Sequence, residues 1–205
     1  TKEMAKLGVN QSHQKKRQFL NRLSGEMTRR AIIDVLRNGS KAYPADLILF
    51  YFTPTENNEQ AKRLFDKNIF SVTRQLRYAI DASKLALDLC LFINGLPVIT
   101  MELKNHFTGQ TTADAVEQYK KYRNPRDLLF SFKRCIVHFA VDDQTIQFCT
   151  KLCGKASWFL PFNKGYHDGA GNPPNPDGIM TDYLWKDILT KWKLSRIIEN
   201  YAQVV

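Results

Sequence analysis

The chain has 205 residues, of which 43% are hydrophobic, enough for the core of one large domain or of one domain with an appendage. Its 30 lysines and arginines exceed its 20 acidic residues, giving a net charge of +10. This balance favours a polyanionic partner, with nucleic acid as the first candidate and a basic protein without such a partner as the alternative. No apolar run reaches the roughly 18 residues that span a bilayer, and the polar N-terminal segment shows no signal peptide, so we expect no membrane association.

Four cysteines, Cys90, Cys135, Cys149 and Cys153, form no C-x2-C pair. We predict buried, reduced thiols, with a zinc site or a disulfide as the less favoured alternatives. Reduced thiols fit a cytoplasmic protein. The first residue is not methionine, so we expect the chain to belong to a longer protein.

The first half of the chain predicts helices followed by strands. Residues 11–37 have apolar side chains at helical spacing and many basic ones, and Asn38-Gly39 is a fitting end. Strands are predicted over 46–52 and 69–78, with one or two helical turns at 59–65 between them. An apolar hairpin over 85–104 follows, turning at Asn94-Gly95.

The second half predicts a helix, more strands and closing helices. The predicted helices are 112–122, a shorter one at 126–132, and 181–189 and 195–201 at the end. The predicted strands are 134–141 and 145–151, and a Gly- and Pro-rich loop covers 162–178. This order indicates an α/β or α+β fold with a mixed sheet.

Three charges interrupt the apolar hairpin: Asp88, Glu102 and Lys104. Charges in such a strand cost free energy unless they are paired or bind an ion. Glu102 and Lys104 point the same way because side chains alternate along a strand, but a two-residue turn would put Asp88 on the other face. We favour a three-residue turn with a bulge at Gly95, or a bulge elsewhere in the hairpin, which brings all three charges onto one face.

Two converging carboxylates make a hard oxygen site for Mg²⁺. Such a metal lowers the pKa of a bound water and shields the charge that develops on a phosphate. A lysine beside them can position or deprotonate the water and stabilise the transition state. The three charges therefore fit phosphodiester hydrolysis, with a structural ion pair between the strands as the alternative.

The chain resembles the PD-(D/E)XK nuclease superfamily at these residues. Asp88 precedes the segment INGLPVITMELK, which contains Glu102 and Lys104 and is followed by the Q-x-x-x-Y element QYKKY. More narrowly, the chain resembles the N-terminal endonuclease domain of the restriction (motor) subunit of type I restriction–modification enzymes. The segments NIFSVTRQLRY and RCIVHFAVD add to the resemblance, which covers most of the chain. It implies an α/β, restriction-endonuclease-like fold with a mixed central sheet flanked by helices.

The resemblance also implies roles for individual residues. Asp88 and Glu102 would bind Mg²⁺, and Lys104 would be the catalytic lysine. Gln118 and Tyr122, four residues apart on one helical face, would support the site or contact DNA, with ordinary packing as the alternative.

Further candidates are less specific. Family members often place another acidic residue on an early helix, for which Glu26 and Glu59 are candidates. Leu87 stands where a proline often precedes the first catalytic aspartate. His106 is a candidate for a phosphate contact, and His138, in an apolar strand, is predicted to be a core histidine. The basic residues predicted to contact the DNA backbone are Lys120, Lys121, Arg123 and Arg134.

The predicted function is Mg²⁺-dependent endonucleolytic cleavage of double-stranded DNA, as a type I site-specific deoxyribonuclease. The alternatives are another PD-(D/E)XK nuclease of repair or recombination, and a non-catalytic basic module that binds DNA or couples subunits. The sequence contains no G-x4-G-K-[ST] phosphate loop, so we expect ATP to bind only elsewhere in the full-length subunit.

By the same resemblance, the partners would be double-stranded DNA and the methyltransferase and specificity subunits, in a bacterial or archaeal cytoplasm. We expect residues 1–205 to form a single nuclease domain. Its parts would be a basic helical segment (1–40), the nuclease core (41–160) and a loop with C-terminal helices (161–205). The isolated segment is expected to cut slowly or not at all.

Overall fold

The structure, a computed structural model, describes residues 2–79 and 85–203. Within these ranges a six-stranded mixed sheet is flanked by helices, which confirms the predicted restriction-endonuclease-like α/β arrangement. The strands are β1 (Ser40–Ala42), β2 (Ala45–Leu47), β3 (Phe70–Arg77), β4 (Ala86–Ile93), β5 (Leu96–Leu103), β6 (Val137–Val141), β7 (Ile146–Cys149) and β8 (Leu160–Pro161). The α-helices are α1 (Lys2–Lys6), α2 (His13–Arg30), α3 (Ile32–Asn38), α4 (Glu59–Phe65), α5 (Thr112–Tyr122) and α6 (Lys191–Arg196).

The central sheet has the strand order β3-β4-β5-β6-β7-β8. β5 and β6 are parallel, and every other neighbouring pair is antiparallel. Parallel neighbours need a long connection, and here α5 lies within it. β1 and β2 form a separate two-stranded hairpin.

The two faces of β5 are covered by different helices. Ile99 and Met101 belong to a core that includes side chains of α2, α3 and α6. Thr100 and Glu102 alternate with them and contact α5 and the residue that follows it, through Tyr119 and Arg123. The sheet therefore separates α2 and its basic residues from the face that carries Glu102.

Local signals explain why α5 forms where it was predicted. The Thr111 side chain accepts a hydrogen bond from the first turn, and Asp114 bonds back to the Thr111 backbone, which makes a capping box. Ala115, Val116 and Tyr119 then lie on one face and are buried against the sheet.

A buried polar network links α5 to two strands. The Thr100 hydroxyl lies 2.9 Å from the Tyr119 hydroxyl and 2.6 Å from Nδ1 of His138. Burial lowers the pKa of His138 to about 3, so the ring is neutral at pH 7. The prediction of a core histidine at this position is confirmed.

Two predicted elements of the first half differ from the structure. The predicted helix over 11–37 is divided at Ala31, whose φ of 75° separates α2 from α3. The predicted strand over 46–52 ends at Leu47. Beyond Leu47, the backbone of Tyr51 forms hydrogen bonds with the side-chain amide of Asn68. The side-chain amide of Asn94 donates to the carbonyl of Leu49. Side chains therefore replace a strand partner here.

The predicted helix over 126–132 is wrong, because this segment forms turns, among them one in which the Phe130 amide bonds to the Asp127 carbonyl. The predicted closing helices are instead α6 and two π-helical turns, Leu184–Ile188 and Ile197–Tyr201. No helix in the described ranges is both long and apolar enough to cross a membrane.

All four cysteines are free thiols. Cys90, Cys135 and Cys149 are buried, as predicted, but Cys153 is exposed. The prediction of buried thiols is therefore wrong for Cys153, which lies in the irregular segment after β7.

Candidate functional site

The hairpin of β4 and β5 turns through two residues, not three. Ile93 pairs with Leu96, and the two turn residues Asn94 and Gly95 have φ values of 50° and 83°, as a type I′ turn requires. The predicted three-residue turn is therefore wrong. The one-residue change of register comes instead from a β-bulge within the strands. The register shifts between Phe92↔Pro97 and Leu91↔Ile99, which leaves Val98 as the extra residue of the bulge.

The bulge brings Asp88 and Glu102 together. Beyond it Leu89 pairs with Met101, and extending this register by one residue places Asp88 opposite Glu102. Oδ2 of Asp88 accepts a hydrogen bond of 2.9 Å from the amide of Leu103, which ties the carboxylate to β5. The two carboxylates predicted to act together are therefore neighbours across the strand pair.

Glu102 is fully buried and forms an ion pair with an equally buried arginine. Nε of Arg123 donates to Oε1 of Glu102 at 2.5 Å, and the two side chains are 2% and 0% exposed. The remaining guanidinium nitrogens donate to the Tyr78 hydroxyl at 3.0 Å and the Ala86 carbonyl at 2.8 Å. Arg123 thus joins β4, β5 and the end of α5.

The second oxygen of Glu102, Oε2, is buried without a hydrogen-bond partner among the described residues. Burial raises the pKa of Glu102 to about 7, Arg123 acts in the opposite direction, and the nearby charge of Asp88 raises this pKa further. A second positive charge at Oε2 would therefore stabilise the carboxylate.

A divalent cation fits this donor set. Asp88 and Glu102 offer carboxylate oxygens, the ligands that Mg²⁺ prefers, and Oε2 of Glu102 has no hydrogen-bond partner among the described residues. Asp88 and Glu102 are thus the residues of the described chain that would hold the ion.

Lys104 lies at the edge of a cleft whose lining includes Ala86 and Arg123, the backbone and side-chain neighbours of Glu102's ion pair, but neither Asp88 nor Glu102. The cleft has a volume of about 470 Å³ and is lined by Lys104, Gln118, Lys121, Tyr122 and Arg123, among others. Tyr122 is 61% exposed. The Q-x-x-x-Y residues of α5 and the lysine of the E-x-K segment therefore border one space.

The predicted basic contacts are distributed differently. Lys121 borders the cleft and forms a half-exposed ion pair with Glu117 at 2.7 Å, whereas Lys120 is partly buried and is not among the cleft residues. Arg123 and Arg134 are each 3% exposed. Both residues are buried, so this arrangement does not favour the prediction that they contact DNA phosphates.

Neither candidate for the early acidic residue is brought to the site. Glu26 lies on α2, on the other side of the sheet, where Arg30 and Arg29 bind its carboxylate and lower its pKa. Glu59 is exposed in the first turn of α4.

A second group of possible metal ligands consists of His106, Asp142 and Asp143, whose ligand atoms lie within 4.8 Å of one another. The Asp142 oxygens already accept hydrogen bonds from the amides of Thr112, Gln144 and Thr145. These bonds hold the loop after β6 to the start of α5, which accounts for the buried position of Asp142. His106 forms a close hydrogen bond to Asp143, which raises the pKa of His106.

Sequence reasoning missed two partners of the carboxylates. It assigned Arg123 to DNA contact instead of to Glu102, and it did not single out Gln75, whose side-chain amide donates to Oδ1 of Asp88 at 3.0 Å. Both contacts join residues from different elements, and no spacing rule along the sequence identifies them.

Comparisons with known proteins bear on the family of the chain. The family model described as "Type I restriction enzyme R protein N terminus" (HSDR_N) matches residues 6–156. Over 199 residues the chain is 27% identical to a protein of Methanocaldococcus jannaschii named "Putative type I restriction enzyme MjaVIIIP endonuclease subunit". This alignment covers 89% of the chain but 17% of that relative. No solved structure gives a significant match. Because the family model covers most of its length, the chain belongs to the family of type I restriction enzyme R protein N termini.

Proposed function

We propose that this chain catalyses Mg²⁺-dependent endonucleolytic cleavage of double-stranded DNA, as the nuclease domain of a type I restriction enzyme R subunit. The observation that carries the proposal is the neighbouring pair of Asp88 and Glu102, in which Oε2 of Glu102 has no hydrogen-bond partner among the described residues. Lys104 and Arg123, the ion-pair partner of Glu102, border one cleft. The family of the chain and the name of its archaeal relative support a role in restriction.

Each side chain has a distinct task in this proposal. Asp88 and Glu102 would hold the ion, which would supply a more acidic water and shield negative charge on the phosphate. Lys104 borders the cleft, where its ammonium group would orient the attacking water and stabilise the charge of the transition state. Gln118 and Tyr122, which also border the cleft, would hold the DNA strand by hydrogen bonds to its backbone.

The proposal extends to the assembly. The chain corresponds to less than a fifth of its relative's length, so we place the ATP-driven motor elsewhere in the full-length subunit, with residues 1–205 as one nuclease domain. The partners are double-stranded DNA and the methyltransferase and specificity subunits, in the cytoplasm of the host cell.

The test uses the full-length R subunit reconstituted with these partners. Asp88→Asn and Lys104→Ala should each lower the rate of DNA cleavage by about 100-fold or more, the usual effect of removing a group that acts on a proton or a charge in the transition state. ATP hydrolysis and translocation should stay at the wild-type rate, since the motor is unchanged.

Lys16→Ala is the matched control, because Lys16 is an exposed lysine on α2, on the other side of the sheet. It should leave cleavage unchanged. Wild-type cleavage by both Asp88→Asn and Lys104→Ala would refute the catalytic assignment and favour a DNA-binding or coupling module.

A further inference from the structure

Gln75 has a backbone conformation that is unusual within a strand. Its φ is 49°, in the left-handed region, although it lies inside β3. Regular pairing with β4 surrounds it, since Arg74 pairs with Leu89 and Leu76 with Leu87. Gln75 therefore stands opposite Asp88, at the one position of β3 where the ladder is interrupted.

The side chain of Gln75 binds Asp88 directly. Its Nε2 donates to Oδ1 of Asp88 at 3.0 Å, while the Leu103 amide donates to Oδ2 at 2.9 Å. Each oxygen of the carboxylate is thus held by a donor from a different neighbouring strand, and this fixes the rotation of the carboxylate plane. Each oxygen retains a further lone pair for a cation.

The choice of residue is informative. Glycine and asparagine adopt the left-handed region at less cost than glutamine does, so the backbone alone would favour either of them. Unusual backbone conformations of this kind persist where the surrounding structure holds them, and they cluster at functional sites. Glycine has no side-chain amide, and the amide of asparagine is one methylene shorter than that of glutamine. The longer side chain of Gln75 places its amide in contact with Asp88.

We propose that Gln75 is a positioning residue that holds the Asp88 carboxylate in the orientation in which it binds the divalent cation. This inference rests on the proposed function, because it assigns Asp88 to the metal. Partners that orient a metal ligand from outside the ligand shell typically contribute 10–100-fold to metal affinity or activity.

Gln75→Asn separates this role from a purely structural one. Asparagine keeps the amide and suits the left-handed backbone better, but it is one methylene too short to keep the bond to Asp88. In the full-length protein without nucleotide, we expect the affinity for Mn²⁺, measured by calorimetric titration, to fall about 10–100-fold. The midpoint of thermal unfolding should stay unchanged or rise.

The same variant is then assayed for cleavage in the reconstituted complex. Cleavage at a limiting Mn²⁺ concentration should fall by a similar factor and recover at saturating Mn²⁺, while translocation is unchanged. Gln75→Gly, which also suits the backbone, should behave alike. Wild-type Mn²⁺ affinity in both variants would overturn the inference, as would a cleavage defect that saturating Mn²⁺ does not relieve.

Two further variants serve as controls. Lys133→Asn relieves a second left-handed backbone position, with φ of 77°, and it should leave Mn²⁺ affinity and cleavage unchanged. Asp88→Asn separates the two proposals. If Asp88→Asn keeps both Mn²⁺ affinity and cleavage, the proposed function fails. If Asp88→Asn loses both while the Gln75 variants keep both, only the role of Gln75 fails.

Discussion

At the scale of single residues, the burial of Arg123 is the most demanding feature of the site. A guanidinium and a carboxylate that are both withdrawn from water lose several kcal/mol of hydration each, and their attraction offsets this only with good geometry and further hydrogen bonds. Here Tyr78 and Ala86 provide those bonds. Removing either partner would leave the other as a buried charge without compensation.

Arg123→Met should lower the free energy of unfolding by about 3–5 kcal/mol, because it leaves the Glu102 carboxylate buried without its partner. Urea denaturation with and without the substitution measures this loss. Adding Glu102→Gln to Arg123→Met should recover part of it, since the uncompensated charge is then gone. The account would be contradicted if the double variant lost more free energy of unfolding than the two single variants lose in total.

The sequence predicts the three charged residues of the site but not their partners. Asp88, Glu102 and Lys104 are recognisable because each interrupts an apolar run. Arg123 lies 21 residues from Glu102, and Gln75 lies 13 from Asp88. Neither separation follows a helical or strand period, so only the folded topology brings these side chains together.

At the scale of elements, the hairpin of β4 and β5 combines a tight turn with a bulge. The Asn94-Gly95 turn alone would leave Asp88 opposite Met101, and the extra residue Val98 corrects this. The side chain of Asn94 also bonds to the Ile69 amide and the Leu49 carbonyl. The turn is therefore attached to the segments that precede β3, as well as joining two strands.

Gly95→Ala should destabilise the protein by roughly 1–2 kcal/mol, the cost of a left-handed backbone at a residue with a Cβ. The added methyl group would meet open space, so strain is the whole effect. Gly25→Ala is the matched control, because Gly25 lies inside α2 and its added methyl group also meets open space. Thermal unfolding should show Gly25→Ala to be about 0.5–1 kcal/mol more stable than the wild type.

The helices α4 and α5 were predicted with their observed bounds. α4 and α5 begin at Asn58 and Thr111, whose side chains cap the first turn, and such signals are visible in the sequence. The segment after Leu47 is apolar, as a strand would be, but its backbone forms hydrogen bonds with the side chains of Asn68 and Asn94 instead of with another strand. Those partners are distant in the sequence, which is why the strand was predicted too long.

At the scale of the whole molecule, the basic residues behind the net charge of +10 lie on both sides of the sheet. The lysines and arginines of α2 lie on one side, and the cleft with Lys104 and Lys121 lies on the side covered by α5. DNA bound at the cleft would therefore be out of reach of most of α2. Total charge alone does not identify which basic residues contact DNA.

Lys121→Gln should reduce the salt dependence of DNA binding by the full-length protein. If Lys121 neutralises one phosphate, the slope of log K against log salt concentration should become less steep by about 0.9. Fluorescence anisotropy with a double-stranded oligonucleotide at several salt concentrations measures the slope. Lys16→Gln, on the opposite side, should leave it unchanged, and an equal effect of both variants would refute a DNA site at the cleft.

The position of β3 at one end of the sheet has a consequence for solubility. In the sheet formed by the described residues, β3 is an edge strand, and exposed edges invite pairing with another molecule. The left-handed backbone of Gln75 interrupts this edge, and Arg74 and Arg77 place charges beside it. Selection against aggregation and selection for a well-oriented Asp88 would thus act on the same residue, and a substitution that flattened β3 would weaken both properties together.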